Sequence, residues 1–439
     1  MRRDIIIIGA GAAGMAAALA ARQSALCTGV HCSITLLERQ RSSGSKIRIS
    51  GGGKCNVTHR GTPAELLEKG FLRSKERRFL RHALYAFSNA HLLALLRSRG
   101  VECSERADGK IFPVSGDALS VVAAFEGLLR DAAVKQHFSG RVRSVERKGE
   151  LFIVNTEAAS FSGDAVIIAT GGVSYSHTGT TGDGLMIARS FGHTLNRLSP
   201  ALAPLYTIKS PPSSLCGLSL RSIGFIATGG GRHLERQGDL LFTHRGFSGP
   251  AVLALSRDIA DLSSQSGQVV HLFADLFPGQ RVEELEAHLF QQGRKRGSQM
   301  VRKFLQSCPL APQGGNFALA AHGTIPTALI PLLMQQSALE VDVTWSTLGR
   351  EKRLSLLAVL KAFPLGIVRE VPLEQGEVSA GGVALNEINP KRMESRIVPN
   401  LFLCGELLDY AGEIGGFNLQ AAFSTGWMAG NNALYPAQE

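Results

Sequence analysis

The chain has 439 residues, of which 44% are hydrophobic and 19% are charged, and this composition excludes an intrinsically disordered chain and a disulfide scaffold. Because one hydrophobic core rarely supports so long a chain, two or three domains are expected. The formal net charge of +11 at pH 7 favours a partner that carries negative charge, nucleic acid ahead of an anionic membrane surface, with solubility alone as the alternative.

Cysteine usage and hydropathy indicate the compartment. The seven cysteines are scattered and never spaced as Cys-x-x-Cys, so we expect no disulfide framework and no metal site, and a reducing cytosol fits best. The apolar stretch 5–21 is interrupted by three glycines and precedes no cleavage-site pattern. We therefore expect a cytoplasmic protein without a targeting signal or a membrane span.

The N-terminal residues predict a βαβ unit. A β-branched run over 4–8 ends in glycine, an alanine-rich stretch over 12–23 has helical spacing, and a second strand covers 33–37. This order of elements is the usual opening of a Rossmann-like domain.

Three glycines in the turn of that unit satisfy the G-x-G-x-x-G pattern. Gly9 permits the turn, Gly11 lets a pyrophosphate approach, and Gly14 lets helix and strand pack closely. Glu38 follows the second strand, where a carboxylate accepts hydrogen bonds from ribose hydroxyls. The alternative is a glycine-rich helix contact, but strand, helix and acid occur together, so we predict dinucleotide binding.

The remaining elements return to the first domain only at the end of the chain. In order, we expect peripheral amphipathic helices over 63–99, antiparallel strands over 141–145 and 151–155, a buried strand over 164–169, short strands after 192, helices over 282–338, a buried strand over 401–404 and a helix over 416–431. The predicted fold class is α/β, with a discontinuous Rossmann-like domain at 1–192 and 376–439, an inserted β-rich domain at 193–280 and 339–375, and a small helical domain at 281–338.

Glycine clusters recur where predicted strands end, in 49–56, 169–172 and 403–418. Consecutive glycines can turn several N–H groups toward a phosphate or a ring system. For the first cluster, a flexible loop is the alternative interpretation. A long cofactor that crosses the carboxyl edge of a sheet requires several such loops, whereas a mononucleotide does not. The candidate cofactor-binding residues are Gly9, Gly11, Ala13, Gly14, Glu38, Arg39, Lys46, Ser50, Gly51, Gly52, Gly53, Asn56, Thr170, Gly171, Gly172, Gly405, Glu406, Gly415, Gly416, Phe417 and Asn418.

Several blocks resemble one bacterial family, the BaiN/RdsA-type FAD-dependent oxidoreductases. These blocks are the first glycine loop, KIRISGGGKCN at 46–56, TGTTGDG at 178–184, LFTHRGFSGP at 241–250 and GGFN at 415–418. The resemblance implies bound FAD, a split FAD domain with a β-rich insert and a small helical insert, and reduction of a C=C bond with NAD(P)H. Family members are associated with making dihydrouridine in 23S ribosomal RNA, and others with reducing unsaturated bile-acid intermediates. No second intact G-x-G-x-x-G follows a strand, so NAD(P)H is expected as a transient donor.

Charge favours RNA between these two substrate classes. Basic residues form two clusters, Arg73, Lys75, Arg77, Arg78 and Arg81, and Arg294, Lys295, Arg296, Arg302 and Lys303. Because Lys and Arg hold RNA mostly through its phosphates, a uridine in 23S ribosomal RNA is the favoured substrate. The alternatives are a reductase of small enones, an oxidase of amines or ketones, and a noncatalytic flavoprotein that binds RNA or ribosomes.

Three residues are candidates for catalysis. Reducing a conjugated C=C bond needs a proton donor and a group that polarises the carbonyl. Cys55 lies in the predicted flavin loop and could deliver the proton, with a buried structural thiol as the alternative. His244 and Arg245 lie in the most distinctive turn of the insert. His244 could donate a proton and Arg245 could bind a carbonyl or a phosphate. The alternative for His244 is a structural, hydrogen-bonded histidine.

Overall fold

The computed structural model describes residues 2–266, 268–307 and 325–435. The chain divides into two compact units, Met1–Ala201 with Leu373–Glu439, and Leu202–Pro372. The larger unit is thus assembled from two separate stretches of chain. The domain boundaries drawn from the sequence stay a prediction, and residues 308–324 of the predicted helical domain lie outside the described residues.

The strands of the described residues are, in chain order, β1 (Arg2–Ile8), β2 (His31–Leu37), β3 (Thr58–His59), β4 (Cys103–Glu105), β5 (Lys110–Pro113), β6 (Lys135–His137), β7 (Val142–Lys148), β8 (Leu151–Thr156), β9 (Ser160–Gly163), β10 (Ala165–Ile168), β11 (Leu195–Ala201), β12 (Leu205–Thr207), β13 (Ser219–Gly229), β14 (Arg232–Phe242), β15 (Gly246–Ser248), β16 (His271–Asp275), β17 (Phe363–Glu370), β18 (Val378–Val383), β19 (Ile388–Asn389), β20 (Glu394–Ser395) and β21 (Leu401–Leu403).

The α-helices of the same residues are α1 (Ala12–Thr28), α2 (Ser45–Ile49), α3 (Pro63–Gly70), α4 (Ser74–Ala86), α5 (Asn89–Arg97), α6 (Ala118–Asp131), α7 (Asp183–Ser190), α8 (Pro250–Ser266), α9 (Val282–Lys295), α10 (Val301–Ser307), α11 (Ile330–Gln336), α12 (Arg350–Lys361) and α13 (Phe417–Asn432).

A seven-stranded sheet in the order β19-β20-β21-β10-β1-β2-β6 forms the centre of the larger unit. Strands β21, β10, β1, β2 and β6 run parallel, while β19 and β20 are added antiparallel. The side chains of β10 are all buried, which explains its continuous apolar sequence. Because parallel strands end at the same edge, the loops after β1, β2, β10 and β21 meet there.

Helices α1 and α13 pack so closely that glycines of α13 lie against the backbone carbonyl groups of α1. A Cβ added at Gly426 would lie 2.0 Å from Ala13 O, and one at Gly430 would lie 2.0 Å from Ala17 O. Only glycine permits so close an approach. This contact fixes the start of α1, where the first glycine loop ends.

Smaller antiparallel sheets complete the larger unit: β3-β5-β4, β7-β8-β9 and β11-β18. The pairing of β7 with β8 confirms the antiparallel strands predicted near 141–155. Helices α3, α4 and α5 occupy the stretch in which peripheral helices were expected.

The smaller unit contains a closed barrel in the order β12-β15-β14-β13-β16-β17. Phe225, Leu240 and Leu272 are buried in its apolar core. Strands β13 and β14 form a hairpin whose turn is Gly230-Gly231, with φ of 59° and 71°. That glycine cluster is therefore a tight turn between antiparallel strands. The parallel sheet and the inserted barrel confirm the predicted α/β class with a β-rich insert.

Candidate functional site

The first glycine loop joins β1 to α1. Gly9 has φ 104°, and its N–H donates to Leu37 O at 2.8 Å. A Cβ on Gly14 would lie 1.8 Å from Gly9 O, whereas a Cβ on Gly11 would meet no atom within 4 Å. The loop is thus closed on its inner side and open at Gly11. Since no side chain caps α1 there, the positive end of the helix can receive a phosphate.

Glu38 ties the end of β2 to this loop. Its Oε2 accepts from the Ala10 N–H at 2.7 Å, and its Oε1 accepts from the Gln40 N–H at 2.8 Å. Each carboxylate oxygen keeps a further lone pair, so the side chain can still accept from ribose hydroxyls. The predicted ribose ligand therefore lies in contact with the predicted phosphate loop.

Arg39 holds the loop at 178–184 beside the end of β2. Its Nη1 donates to Thr181 Oγ1 and lies 3.3 Å from Asp183 Oδ2. Arg141 donates to the same carboxylate twice, at 2.8 Å and 2.6 Å. Partial burial would raise the pKa of Asp183, but the hydrogen bonds and charge of Arg141, with smaller contributions from Thr181 and Arg39, hold this pKa below its ordinary value. The loop is therefore anchored by an ionised carboxylate.

The loop after α2 turns three consecutive residues into the left-handed region. Gly51, Gly52 and Gly53 have φ of 57°, 67° and 82°, a conformation that only glycine adopts readily. Such turns can present neighbouring N–H groups to an anion or a ring carbonyl. A Cβ on Gly52 would meet no atom within 4 Å. Like the first loop, this one faces open space.

Asn56 connects this loop to the beginning of α13. Its side-chain amide donates to Thr58 O at 3.0 Å and to Ile111 O at 3.2 Å, and accepts from the Gly416 N–H at 3.0 Å. Gly416 has φ 88° and precedes the first residue of α13. The hydrogen bonds of Asn56 therefore position the third predicted glycine cluster.

Asn418 and Phe417 shape the same loop from within. Asn418 accepts from the Gly412 N–H at 2.7 Å and donates to Gly412 O at 2.9 Å. The Phe417 ring stacks on His59, with ring centroids 4.7 Å apart. These two side chains serve the loop's conformation, and their contact with a cofactor stays a prediction.

A charged network crosses the strand ends. Lys46 Nζ lies 2.7 Å from Glu406 Oε2 and donates to Ser174 Oγ at 2.8 Å. The other oxygen, Glu406 Oε1, accepts from the Ser379 N–H at 2.8 Å. The structure thus brings together two predicted residues, Lys46 and Glu406, that are 360 positions apart. Ser174 and Ser379 escaped the sequence analysis because no pattern around them indicates a shared site.

Some buried hydroxyl oxygens at these loops have no hydrogen-bond partner among the described residues. They include Ser43 Oγ and Thr170 Oγ1. Ser43 precedes Gly44, whose N–H donates to Ala10 O in the first glycine loop. A buried hydroxyl without a partner is costly, so a polar ligand at this edge would satisfy both. Thr170 was predicted, whereas Ser43 has no signal beyond its position shortly after Glu38.

These features of the strand-end loops suit a dinucleotide such as FAD. The loop open at Gly11 suits the pyrophosphate, Glu38 suits a ribose, and the Gly51–53 loop offers N–H groups to a flavin. The unpaired hydroxyls of Ser43 and Thr170 supply further polar contacts.

Cys55 is fully buried, with φ 56°. Burial raises the pKa of its thiol to about 12, and a hydrogen bond with Ser50 lowers it by a smaller amount. Such a thiol is neutral over the physiological range and poorly accessible. These properties favour the packing role over proton delivery, and the catalytic role stays a prediction.

His244 and Arg245 belong to the smaller unit, in the turn between β14 and β15. Both side chains are exposed, and the Arg245 guanidinium lies 4.0 Å from the centroid of the Tyr206 ring. The backbone is held by the Thr243 N–H, which donates to Gly246 O at 2.9 Å. Their participation in catalysis also stays a prediction.

The chain matches, over residues 3–432, the model of a family described as HI0933-like protein Rossmann domain. It belongs to this family. One relative, the 3-dehydro-bile acid delta(4,6)-reductase of Clostridium scindens, is 32% identical over 429 residues, which cover 97% of this chain and 98% of that protein. The ribosomal RNA dihydrouridine synthase of Escherichia coli is 28% identical over 433 residues, 99% of this chain and 98% of that protein.

Among solved structures, the 3-ketosteroid-delta4-(5alpha)-dehydrogenase of Rhodococcus jostii RHA1 is similar over 99% of this chain and 97% of that one, with 15% identity and a TM-score of 0.45. The family and its relatives make this protein an FAD-dependent oxidoreductase with a Rossmann-type FAD-binding domain, which confirms the predicted family and cofactor. Within 2–266, 268–307 and 325–435, no helix is long and apolar enough to cross a membrane.

Proposed function

We propose that this protein uses NAD(P)H and FAD to reduce a conjugated C=C bond, and that its substrate is a uridine in 23S ribosomal RNA. When bound, FAD would supply the hydride chemistry that links NAD(P)H to the substrate. The residues proposed to hold it are those of the four strand-end loops, with Gly11 and Glu38 at the pyrophosphate and ribose and the Gly51–53 loop at the ring.

The observation that favours RNA as the substrate is the row of exposed basic residues on α4, called here its basic face. Lys75, Arg78 and Arg81 are exposed on this helix. The helix belongs to the same unit as the cofactor loops, and Lys75 Nζ lies 2.7 Å from Asp409 Oδ2, three residues beyond Glu406. A positively charged helix joined to the strand-end loops suits a substrate held through its phosphates.

An exposed aromatic ring accompanies these charges. The Arg81 guanidinium lies 5.9 Å from the centroid of the Tyr85 ring, and 51% of Tyr85 is exposed. Exposed aromatic and guanidinium planes are surfaces on which unpaired RNA bases stack. The face therefore offers both kinds of contact that a single-stranded RNA loop uses.

A reductase of small enones is the second candidate. The relative from Clostridium scindens has the higher identity, 32% against 28% for the Escherichia coli protein, and both named substrates contain a conjugated C=C bond. The strand-end site serves either substrate. The basic face of α4 favours the RNA.

The decisive experiment maps 23S ribosomal RNA by mass spectrometry, using RNA from a strain that lacks this protein. The RNA, free or in immature subunits, is incubated with purified protein, FAD and NADPH. One uridine that becomes heavier by two hydrogen atoms supports the proposal. Unchanged RNA together with turnover of an enone favours the second candidate, and bound FAD that NAD(P)H does not reduce favours a noncatalytic flavoprotein.

A variant of the basic face sharpens the result. In Arg78→Ala/Arg81→Ala, we expect RNA binding to weaken by about tenfold or more at physiological salt, and the salt dependence to lose a slope of about 2. Reduction of the flavin by NADPH should be unchanged. Arg130→Ala, which removes an exposed arginine of α6, is the matched control. Equal RNA affinity in all three proteins would contradict the proposed role of α4.

A further inference from the structure

We propose that Glu377 is the acid that protonates the substrate, on the carbon next to the one that receives the hydride. This inference rests on the proposed function, because it concerns the same C=C reduction. It assigns the proton to a residue that the sequence analysis did not select.

The backbone around Glu377 is fixed on both sides at the strand ends. The Tyr175 N–H, in the loop after β10, donates to Glu374 O at 3.2 Å. On the other side, the Ser379 N–H donates to Glu406 Oε1 at 2.8 Å. Glu377 therefore lies between two anchored points, two residues from the backbone N–H that binds the Lys46–Glu406 pair.

Among the described residues, the carboxyl group of Glu377 has no hydrogen-bond or ion-pair partner, in contrast to Glu38, Glu406 and Asp409 at this edge. Glu38 binds two backbone N–H groups, Glu406 pairs with Lys46, and Asp409 pairs with Lys75. Glu377 makes no hydrogen bond and no ion pair with any described residue, and its side chain is exposed. A carboxyl that no structural contact occupies is available to a substrate.

The surroundings of Glu377 suit a proton donor. Desolvation by the surrounding protein raises the pKa of its carboxyl, while the charges of Lys46 and Lys110 lower it by smaller amounts. Tyr175 is the other titratable group whose charge interacts with it. The exposed side chain of Glu377 lies within electrostatic reach of Lys46, Lys110 of β5 and Tyr175 of the loop after β10. Catalytic acids are commonly found in such positions.

The other titratable groups of this edge are less suited to this task. The Cys55 thiol is buried, with its pKa raised to about 12. The Tyr175 phenol has its pKa raised by burial and by Glu377, which makes it a weaker acid still. The Glu406 carboxyl is already held in its ion pair with Lys46 at 2.7 Å. Glu377 is the acid of this edge that combines accessibility with a transferable proton.

The proposed step balances as follows. The C=C π bond breaks and two C–H bonds form. The two electrons arrive with the hydride that originates from NAD(P)H, and the O–H bond of Glu377 breaks to supply the proton. The carboxylate that remains takes its next proton from water, so each turnover consumes one NAD(P)H and one proton.

Two isosteric variants test the assignment: Glu377→Gln, which cannot donate the proton, and Glu374→Gln, an exposed neighbour, as the matched control. In anaerobic stopped-flow experiments, we expect both to bind FAD and to be reduced by NADPH within about twofold of the wild type. Reoxidation of the reduced flavin by substrate should slow by at least about 100-fold in Glu377→Gln alone. The wild-type rate should fall as pH rises through the pKa of Glu377, and the variant should lose that dependence.

Reoxidation of Glu377→Gln at the wild-type rate, or with the wild-type pH dependence, would overturn the inference. Both RNA and an enone are used as substrates, since a wild-type protein that neither reoxidises contradicts the proposed function itself. A measurement without substrate separates the two failures. The absorption of bound oxidised FAD should titrate with pH in the wild type and in Glu374→Gln but not in Glu377→Gln, and an unchanged titration in Glu377→Gln would contradict the position inferred for this carboxyl.

Discussion

Two groups of glycines in this molecule, one beside the cofactor loops and one in the β13–β14 hairpin, have opposite uses. In the larger unit, Gly9, Gly14 and Gly426 are required because other backbone atoms fill the space that a side chain would occupy. In the smaller unit, Gly231 turns a hairpin and a Cβ there would meet no atom within 4 Å. The first use brings α1, α13 and the sheet together around the cofactor loops, and the second only reverses the chain. Glycine count alone therefore does not indicate a site.

Gly14→Ala should have the largest effect. The added methyl would lie 1.8 Å from Gly9 O, and neither backbone segment can move without separating α1 from β1. We expect a loss of about 3 kcal/mol or more in the free energy of unfolding, together with loss of bound FAD. Urea denaturation and the flavin content of the purified protein measure the two effects. Wild-type stability with full flavin content would contradict the packing described for this loop.

Gly11→Ala should separate cofactor binding from stability. Its backbone φ is −81° and a methyl there meets no protein atom, so the fold should tolerate it. The methyl would occupy the space proposed for the pyrophosphate, and FAD affinity should fall by about tenfold or more. Titration of the apoprotein with FAD measures it, with apoprotein stability as the control. Unchanged affinity would show that the pyrophosphate lies elsewhere.

Lys46→Met should leave the partly buried Glu406 carboxylate without its cation. Their side chains are 25% and 15% exposed, so we expect a loss of about 2 kcal/mol in stability. Lys46→Met/Glu406→Gln should recover much of this loss, because the unpaired charge is removed as well. Urea denaturation of the apoproteins gives both values. A double variant no more stable than the single one would contradict the pairing.

Gly231→Ala provides the contrast in the barrel. With φ 71° and free space around the added methyl, only backbone strain is expected, about 1 kcal/mol. Flavin content and its reduction by NADPH should equal those of the wild type. A loss of stability as large as that of Gly14→Ala would contradict the difference between these two groups of glycines.

The smallest effect concerns pH and His193. Burial lowers the pKa of His193 below its ordinary value, and the hydrogen bond with Glu387 raises it by less. A depressed pKa stabilises the folded state above the unfolded-state value near 6.5, and this stability is lost as pH falls through the folded-state pKa. The decrease in Tm between about pH 7.5 and about pH 5 should therefore be smaller by roughly 2 °C in His193→Gln. If Tm fell equally with pH in the wild type and in His193→Gln, the proposed contribution of His193 would be contradicted.

The parts of the site that follow from local sequence were predictable. Gly9, Gly11, Gly14 and Glu38 lie within one βαβ unit, where spacing determines position. The pair of Lys46 with Glu406 and the placement of Glu377 depend on contacts between distant segments, which no local pattern contains. The β-rich character of the insert was likewise predictable from its short strands. Its closure was not, because it depends on pairing β12 with β17 across most of the unit.

The most direct test of the central claim is a single-turnover measurement. The protein is reduced with NADPH without oxygen and then mixed with 23S ribosomal RNA from a strain that lacks it, with RNA already modified by it, or with a steroid-like enone. We predict reoxidation of the flavin by the unmodified RNA at a rate at least about tenfold above that with the modified RNA. Equal rates with the two RNAs, alongside rapid reoxidation by the enone, would contradict the account and assign the site to small molecules.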